Sequence, residues 1–317
     1  MTLTFDDILL AAKTIGSTVH RTPVVTCETL DKRCQARFFF KCENLQKVGA
    51  FKFRGACNAV FQLDEESAQK GVVTHSSGNH AQALALAAKK RGIEARIVMP
   101  DNAPTVKREG VVGYGGTVID CAANLQARET TANRVEQETG ATFIHPYDHP
   151  LVIAGQGTAA LELLQDAGEL DAVIAPVGGG GLISGTCVAV AGQSCRTRVI
   201  GAEPAGADDA ARSKAANRLV PQTNPNTIAD GLLTSLGEWT WPYVRDAVSE
   251  IVTATEGEII EAMKFFWSRT KLLIEPSSAV AVAVALKTAW PAGSRVGIIL
   301  SGGNVDLDRL PWTGQSA

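Results

Sequence analysis

The sequence predicts an α/β protein whose parallel sheet carries helices on both faces, and three observations lead there. From Gly71 onward, short apolar runs rich in valine and isoleucine alternate with segments of helical spacing, the order that parallel sheets require. Several of these runs discharge into loops rich in glycine and serine, and ligands of open parallel sheets sit at the carboxyl ends of strands. The 317 residues are 45% hydrophobic with 30 glycines, enough for a large core in one two-lobed unit.

Thr4 followed by Asp7, ahead of Ile8-Leu9-Leu10-Ala11-Ala12-Lys13, has the spacing of a capped first helix. Residues 37–41 read as a buried strand that leads into Gly49-Ala50-Phe51-Lys52-Phe53-Arg54-Gly55, and 55–63 read as a helix. Beyond Gly71 the expected strands are 72–74, 95–99, 116–119, 142–144, 172–176, 198–202 and 296–300. The expected helices are 81–90, 105–112, 124–138, 157–164, 181–191, 256–270 and 277–286. Residues 71–147 form a self-contained alternating set, read as a small lobe inserted into a larger one made of 1–70 and 148–317. No low-complexity linker or solenoid repeat interrupts the chain.

A net charge of -3 offers no electrostatic footprint for nucleic acid or an anionic membrane, so small molecules are the expected partners. No apolar run reaches the length of a membrane span, and the acidic start lacks the order of a signal peptide. The seven cysteines are scattered without a C-x-x-C pair, which fits a reducing, cytoplasmic setting and no cysteine zinc site.

Five segments carry candidate chemistry. Lys52 stands between two phenylalanines; apolar neighbours disfavour the ammonium form, and a neutral amine can attack an aldehyde to form a Schiff base. The alternative is a solvated lysine on the wet face of a strand or helix start. Ser76-Ser77-Gly78-Asn79-His80 joins a strand to an alanine-rich helix, an arrangement suited either to holding a carboxylate or to plain helix capping. Gly178-Gly179-Gly180-Gly181 follows an apolar strand and opens a helix, a backbone nest for a phosphate. It lacks the Walker and dinucleotide spacings, so a monophosphate is expected. Ser301 ends the last strand, and Glu203 to Asp209 carries acids spaced for a hard cation, although alone it also fits a solvated acidic turn. Lysine, phosphate nest and late serine together describe a pyridoxal 5'-phosphate site: aldehyde at Lys52, phosphate at Gly178 to Gly181, ring nitrogen at Ser301.

On GAFKFRGACNAV, SSGNHAQALALAA, PVGGGGLISG, GAEPAGADD, KLLIEPSSA and LSGGNVDL the chain resembles the fold-type II, tryptophan synthase β-like pyridoxal-phosphate enzymes. Within them it is similar to the serine racemase, serine/threonine dehydratase and 3-hydroxyaspartate dehydratase group. The resemblance implies two parallel-sheet lobes with the cofactor between them, and a homodimer. It implies that Lys52 and Ser77 are the acid/base pair on opposite faces, that Asn79 meets the cofactor's phenolic oxygen, and that Phe51 and Gly231 flank its ring. Ser76, Ser77, Asn79 and His80 would take the substrate carboxylate, Arg128 its distal end, and Glu203, the Ala207 carbonyl and Asp209 a divalent cation such as Mg²⁺, Ca²⁺ or Mn²⁺.

Lys47, Gln82, Tyr114, Lys271 and Asn304 fall where racemase members bind ATP, while Val48 departs from that pattern and argues against ATP regulation. Tyr147 replaces a cofactor-side asparagine and Ala50 a serine usual in threonine dehydratases, and the chain stops soon after Asp306, leaving no room for an isoleucine-sensing regulatory domain. The implied activity is dehydration and deamination of a small β-hydroxy amino acid, 3-hydroxyaspartate, serine or threonine. Racemisation of serine or aspartate is the alternative, and a non-catalytic phosphate-binding protein is the alternative of another class.

Overall fold

The computed structural model describes residues 2–194 and 196–313. Its strands, in chain order, are β1 (Val24–Val25), β2 (Arg37–Cys42), β3 (Val72–His75), β4 (Ala95–Pro100), β5 (Thr117–Cys121), β6 (Thr142–Phe143), β7 (Ala172–Pro176), β8 (Arg198–Pro204), β9 (Glu250–Ala254) and β10 (Arg295–Leu300). They form a six-stranded sheet of order β1-β2-β10-β7-β8-β9 and a four-stranded sheet of order β5-β4-β3-β6. All pairings within them are parallel except β1 with β2. The central strands β2, β7 and β10 are buried almost throughout, the near-continuous apolar reading expected where helices cover both faces. No helix among the described residues is long and apolar enough to cross a membrane.

Helices Glu256–Thr270 and Pro276–Lys287 follow each other without a strand between them, as expected. Sequence reading omits the edge strands β1 and β9 and the short helices Glu28–Cys34, Glu65–Lys70, Asp209–Ala216 and Trp241–Asp246. These are short elements, and β9 is only half-buried, so it lacks the apolar run that marks a central strand.

Two helix starts differ in a way that bears on the site. The helix expected from 157 runs Pro150–Ala167, with the His149 ring accepting from the Leu151 N–H and proline in its first turn. Gly155 and Gly157 inside it look like breakers but are contact points. A Cβ at Gly155 would lie 2.6 Å from the Cα of Gly55, and one at Gly157 2.7 Å from the Gly185 carbonyl. The helix expected from 55 runs Lys52–Phe61, so Lys52 is its first residue.

An ionic cluster, fully buried at Lys41, Glu43 and Arg54 and nearly so at Glu162, pins that first turn. Arg54 donates from Nε and Nη2 to Glu43 at 2.7 and 2.8 Å and from Nη1 and Nη2 to Glu162 at 2.9 and 2.8 Å. Lys41 donates to Glu162 at 2.6 Å and to the Thr22 carbonyl at 2.6 Å, and the Thr22 hydroxyl donates to Glu43. Two cations and two carboxylates thus balance within the core, each with hydrogen bonds that replace lost hydration. Arg54→Met should lower the unfolding free energy by about 3–5 kcal/mol, because it strands a buried carboxylate. Urea denaturation measures this, and a loss below about 1 kcal/mol would mean the cluster relaxes to admit water.

Candidate active site

The amine of Lys52 donates to the Pro146 carbonyl at 2.8 Å and lies 5.1 Å from the centre of the Phe51 ring and 6.0 Å from that of Tyr147. Burial lowers its pKa to about 8, opposed by the nearby Glu275 carboxylate, so the neutral amine is far more accessible than in a solvated lysine although the ammonium form still prevails at neutral pH. The solvated alternative for Lys52 is set aside. The Phe51 N–H donates to the Ser301 carbonyl at 2.9 Å, tying the lysine segment to the end of β10. The Ser301 hydroxyl is 3.1 Å from that of Ser278, which also donates to the Gly302 carbonyl at 2.6 Å.

The glycine run leaves β7 and enters helix Gly181–Gln193, with Gly180 at φ +88°. The run is buried, yet none of the N–H groups of Gly178, Gly179, Gly180 and Gly181 donates to a protein acceptor among the described residues. Buried backbone donors without acceptors are rare, and a set of them at a helix start fits a phosphate. The cradle is tight: a Cβ at Gly179 would lie 2.4 Å from the Tyr147 ring and one at Gly178 3.1 Å from the Gly231 carbonyl. Gly231 in turn donates to the Ser277 hydroxyl at 3.0 Å.

β3 leads through Ser76, Ser77 and Gly78 into helix Asn79–Arg91. The Ser77 hydroxyl makes no hydrogen bond among the described residues, whereas Ser76 accepts from the Gly78 N–H at 3.3 Å. Asn79 donates to both oxygens of Glu275 at 3.0 and 3.2 Å and accepts from Asn304 at 2.9 Å. The buried His80 ring lies with Nε2 3.2 Å from the Ile144 carbonyl and is held neutral by burial and the charge of Lys52. Its backbone at the helix start is therefore the part free to meet a carboxylate. Arg128, in helix Leu125–Thr139, buries its Nε without a partner and forms no ion pair among the described residues. Of the five residues at the ATP positions, only Asn304 joins this constellation; Lys47 donates to the Thr18 carbonyl and Lys271 to that of Ser268.

Glu275 escaped sequence reading. It is buried, its carboxyl is pushed up to about 7 by desolvation, and it also accepts from the Asn304 N–H at 3.0 Å. The signal was an acid directly before Pro276 in an otherwise apolar stretch.

The acidic loop is not solvated. β8 runs to Pro204, so Glu203 lies within the strand, and both Glu203 and Asp209 are buried. The Glu203 oxygens accept from the Ala210 and Ala211 N–H groups at 2.8 and 2.9 Å, and Asp209 accepts from the Leu236 N–H at 3.0 Å. Burial raises Glu203 to about 8 and Asp209 to about 6, and Asp209 Oδ1 has no partner among the described residues. Among the described residues no three His, Cys, Asp or Glu side chains cluster to hold a metal. The expected set contains two carboxylates and a backbone carbonyl, and the orphaned oxygen fits a hard cation.

The family model described as pyridoxal-phosphate dependent enzyme matches residues 15–302. A beta-hydroxyaspartate dehydratase of Paracoccus denitrificans (strain Pd 1222) is 51% identical over 98% of this chain and 98% of its own length. An L-threo-3-hydroxyaspartate ammonia-lyase of Saccharomyces cerevisiae (strain ATCC 204508 / S288c) is 45% identical over 96% and 94%. The crystal structure of serine racemase from Dictyostelium discoideum matches at TM-score 0.93 and 48% identity, covering 97% of this chain and 100% of that one. A desolvated amine and a run of buried N–H groups without acceptors fit such a match, and the chain belongs to the pyridoxal-phosphate dependent enzymes, with the fold-type II architecture of these relatives.

Proposed function

We propose that this chain is an ammonia-lyase that removes water and then ammonia from small β-hydroxy amino acids, with 3-hydroxyaspartate ranked beside serine and threonine. The observation that carries the choice is Arg128, a guanidinium with a buried, unpartnered Nε, whose forked donors suit a second carboxylate. The names of the Paracoccus and yeast relatives support it. Serine or aspartate racemisation at the same site is the second reading, favoured by the serine racemase relatives.

Pyridoxal phosphate, when bound, supplies the electron sink that acidifies the substrate's α-hydrogen. Lys52 takes that proton on one face and Ser77 stands on the other. The N–H groups of Gly178 to Gly181 hold phosphate, Phe51 and Gly231 flank the ring, and Asn79, tied to Glu275, meets the phenolic oxygen. Ser301 offers a neutral hydroxyl to the ring nitrogen, which keeps the sink moderate and favours loss of a leaving group over transamination. Ser76, Ser77, Asn79 and His80 bind the α-carboxylate at the start of their helix. Residues 71–147 act as the substrate lobe, and 1–70 with 148–317 as the cofactor lobe. Mg²⁺, or Ca²⁺ or Mn²⁺, held by Glu203, Asp209 and the Ala207 carbonyl, orients its loop without touching substrate. The working form is a cytoplasmic homodimer acting on a small amino acid, without ATP control.

Lys52→Ala should lose the visible absorption of the holoenzyme and lower turnover by about a thousandfold or more; a variant of wild-type activity removes the central assignment. A chelator should lower both activity and melting temperature, with recovery on adding Mg²⁺ or Ca²⁺, and indifference counts against the cation site. Arg128→Ala should reduce kcat/KM for hydroxyaspartate relative to serine by about 10- to 100-fold. An unchanged ratio denies Arg128 its role, and a wild type that mainly inverts serine and makes little pyruvate is a racemase.

A further inference from the structure

The rings of His75 and His145 stand edge-on 6.3 Å apart and have no part in the chemistry assigned above. The Nδ1 of His145 accepts from the Asp148 N–H at 2.8 Å and the Tyr147 N–H at 3.3 Å. A neutral imidazole with Nδ1 accepting must carry its hydrogen on Nε2. The ring stays neutral, since burial and then the charges of His75, Lys52 and His149 lower its pKa to about 4. Nε2 has no acceptor among the described residues, yet it is not among the fully buried polar atoms left without partners. It is therefore a fixed donor open to a ligand.

The ring's place is set on three sides. It stands edge-on to Tyr147 at 4.6 Å, to Phe143 at 6.0 Å and to His75 at 6.3 Å, while His75 stacks on Phe143 at 5.5 Å. The carbonyl that holds the Lys52 amine belongs to Pro146, the next residue. At the other end, His75 feels the charges of Glu129 and Arg128. A row of polar side chains thus leads from the Lys52 amine, held by the Pro146 carbonyl, past His145 to His75, whose surroundings carry the charges of Arg128 and Glu129, while Glu275 lies near the lysine end. Such a row has little to offer the hydroxymethyl group of serine or the methyl group of threonine, but it matches an anionic substituent.

We propose that His145 is a specificity-determining residue whose Nε2–H, beside His75 and Arg128, binds the distal carboxylate, so that the preferred substrates are dicarboxylic 3-hydroxy amino acids. This rests on the assignment of Arg128 above and deepens it.

The test is a pair of variants of the holoenzyme. His145→Asn retains an oxygen that can accept from the 147–148 backbone but has no donor where Nε2 stood; His145→Gln retains a donor there without the acceptor. His145→Asn should lower the hydroxyaspartate-to-serine ratio of kcat/KM by about tenfold, mainly through KM, with the visible spectrum of wild type. Succinate binding, read by calorimetry, should weaken by a similar factor, and His145→Gln should restore most of the ratio. Equal losses for both substrates with unchanged succinate binding overturn the proposal. If Arg128→Ala shifts the ratio and His145→Asn does not, the arginine reading stands and this one falls; if neither shifts it, both fall. Should His145→Asn not fold, wild-type binding decides, and a succinate preference over acetate below about threefold overturns the inference.

Discussion

The placement of the Lys52 amine depends on charges set behind it in the core. Arg54 lies two residues beyond Lys52 and spends its guanidinium on Glu43, directly after β2, and on Glu162 of helix Pro150–Ala167. The first turn of helix Lys52–Phe61 is therefore fastened from behind, while the Gly55 and Gly155 backbones close against each other without side chains between them. A buried pair of this kind adds little net stability over an apolar core of the same shape. It does dictate geometry, since four charges in a dry interior tolerate few arrangements, and that rigidity is what a group moving protons needs.

Burial then sets the protonation states around the amine. Lys52 is lowered toward neutrality, His80 and His145 are kept neutral, and Glu275 is raised to about 7. Removing water weakens the charged form of each group, so the site holds bases that are free to accept protons and a carboxyl near its midpoint. Glu203 and Asp209 follow the same logic in their own pocket, where their raised pKa values reflect carboxylates enclosed with few compensating charges.

Much of this was legible in the chain. Strand β7 and helix Glu256–Thr270 have the bounds expected from the sequence, since an unbroken apolar run and a capping box at Thr255 are local signals. The glycine run and Ser301 are placed as the sequence suggests, just after the strands β7 and β10, whereas Lys52 opens a helix. What was not readable was settled by distant partners. Gly155 and Gly157 signal a break in isolation and instead sit inside a long helix because neighbouring backbones need their space. Glu275 looks like a helix-start acid until Asn79 and Asn304, far off in sequence, converge on it. The acidic segment at 203–209 has the composition of a solvated turn, and only the length of β8 carries its acids inside.

The Tyr147 ring bears on how diverged copies of this chain should be read. A side chain at Gly179 would collide with that ring, and one at Gly181 would come within 3.0 Å of its Cβ, so the protein's own packing demands these glycines whether or not a phosphate is ever held. A descendant that had abandoned the chemistry would keep Gly179 and Gly181 for as long as it kept the tyrosine, and Gly178 and Gly180 for as long as it kept Leu232 and Thr240. Retention of the run thus reports a preserved scaffold, and it is the lysine at the head of helix Lys52–Phe61 that reports a preserved reaction.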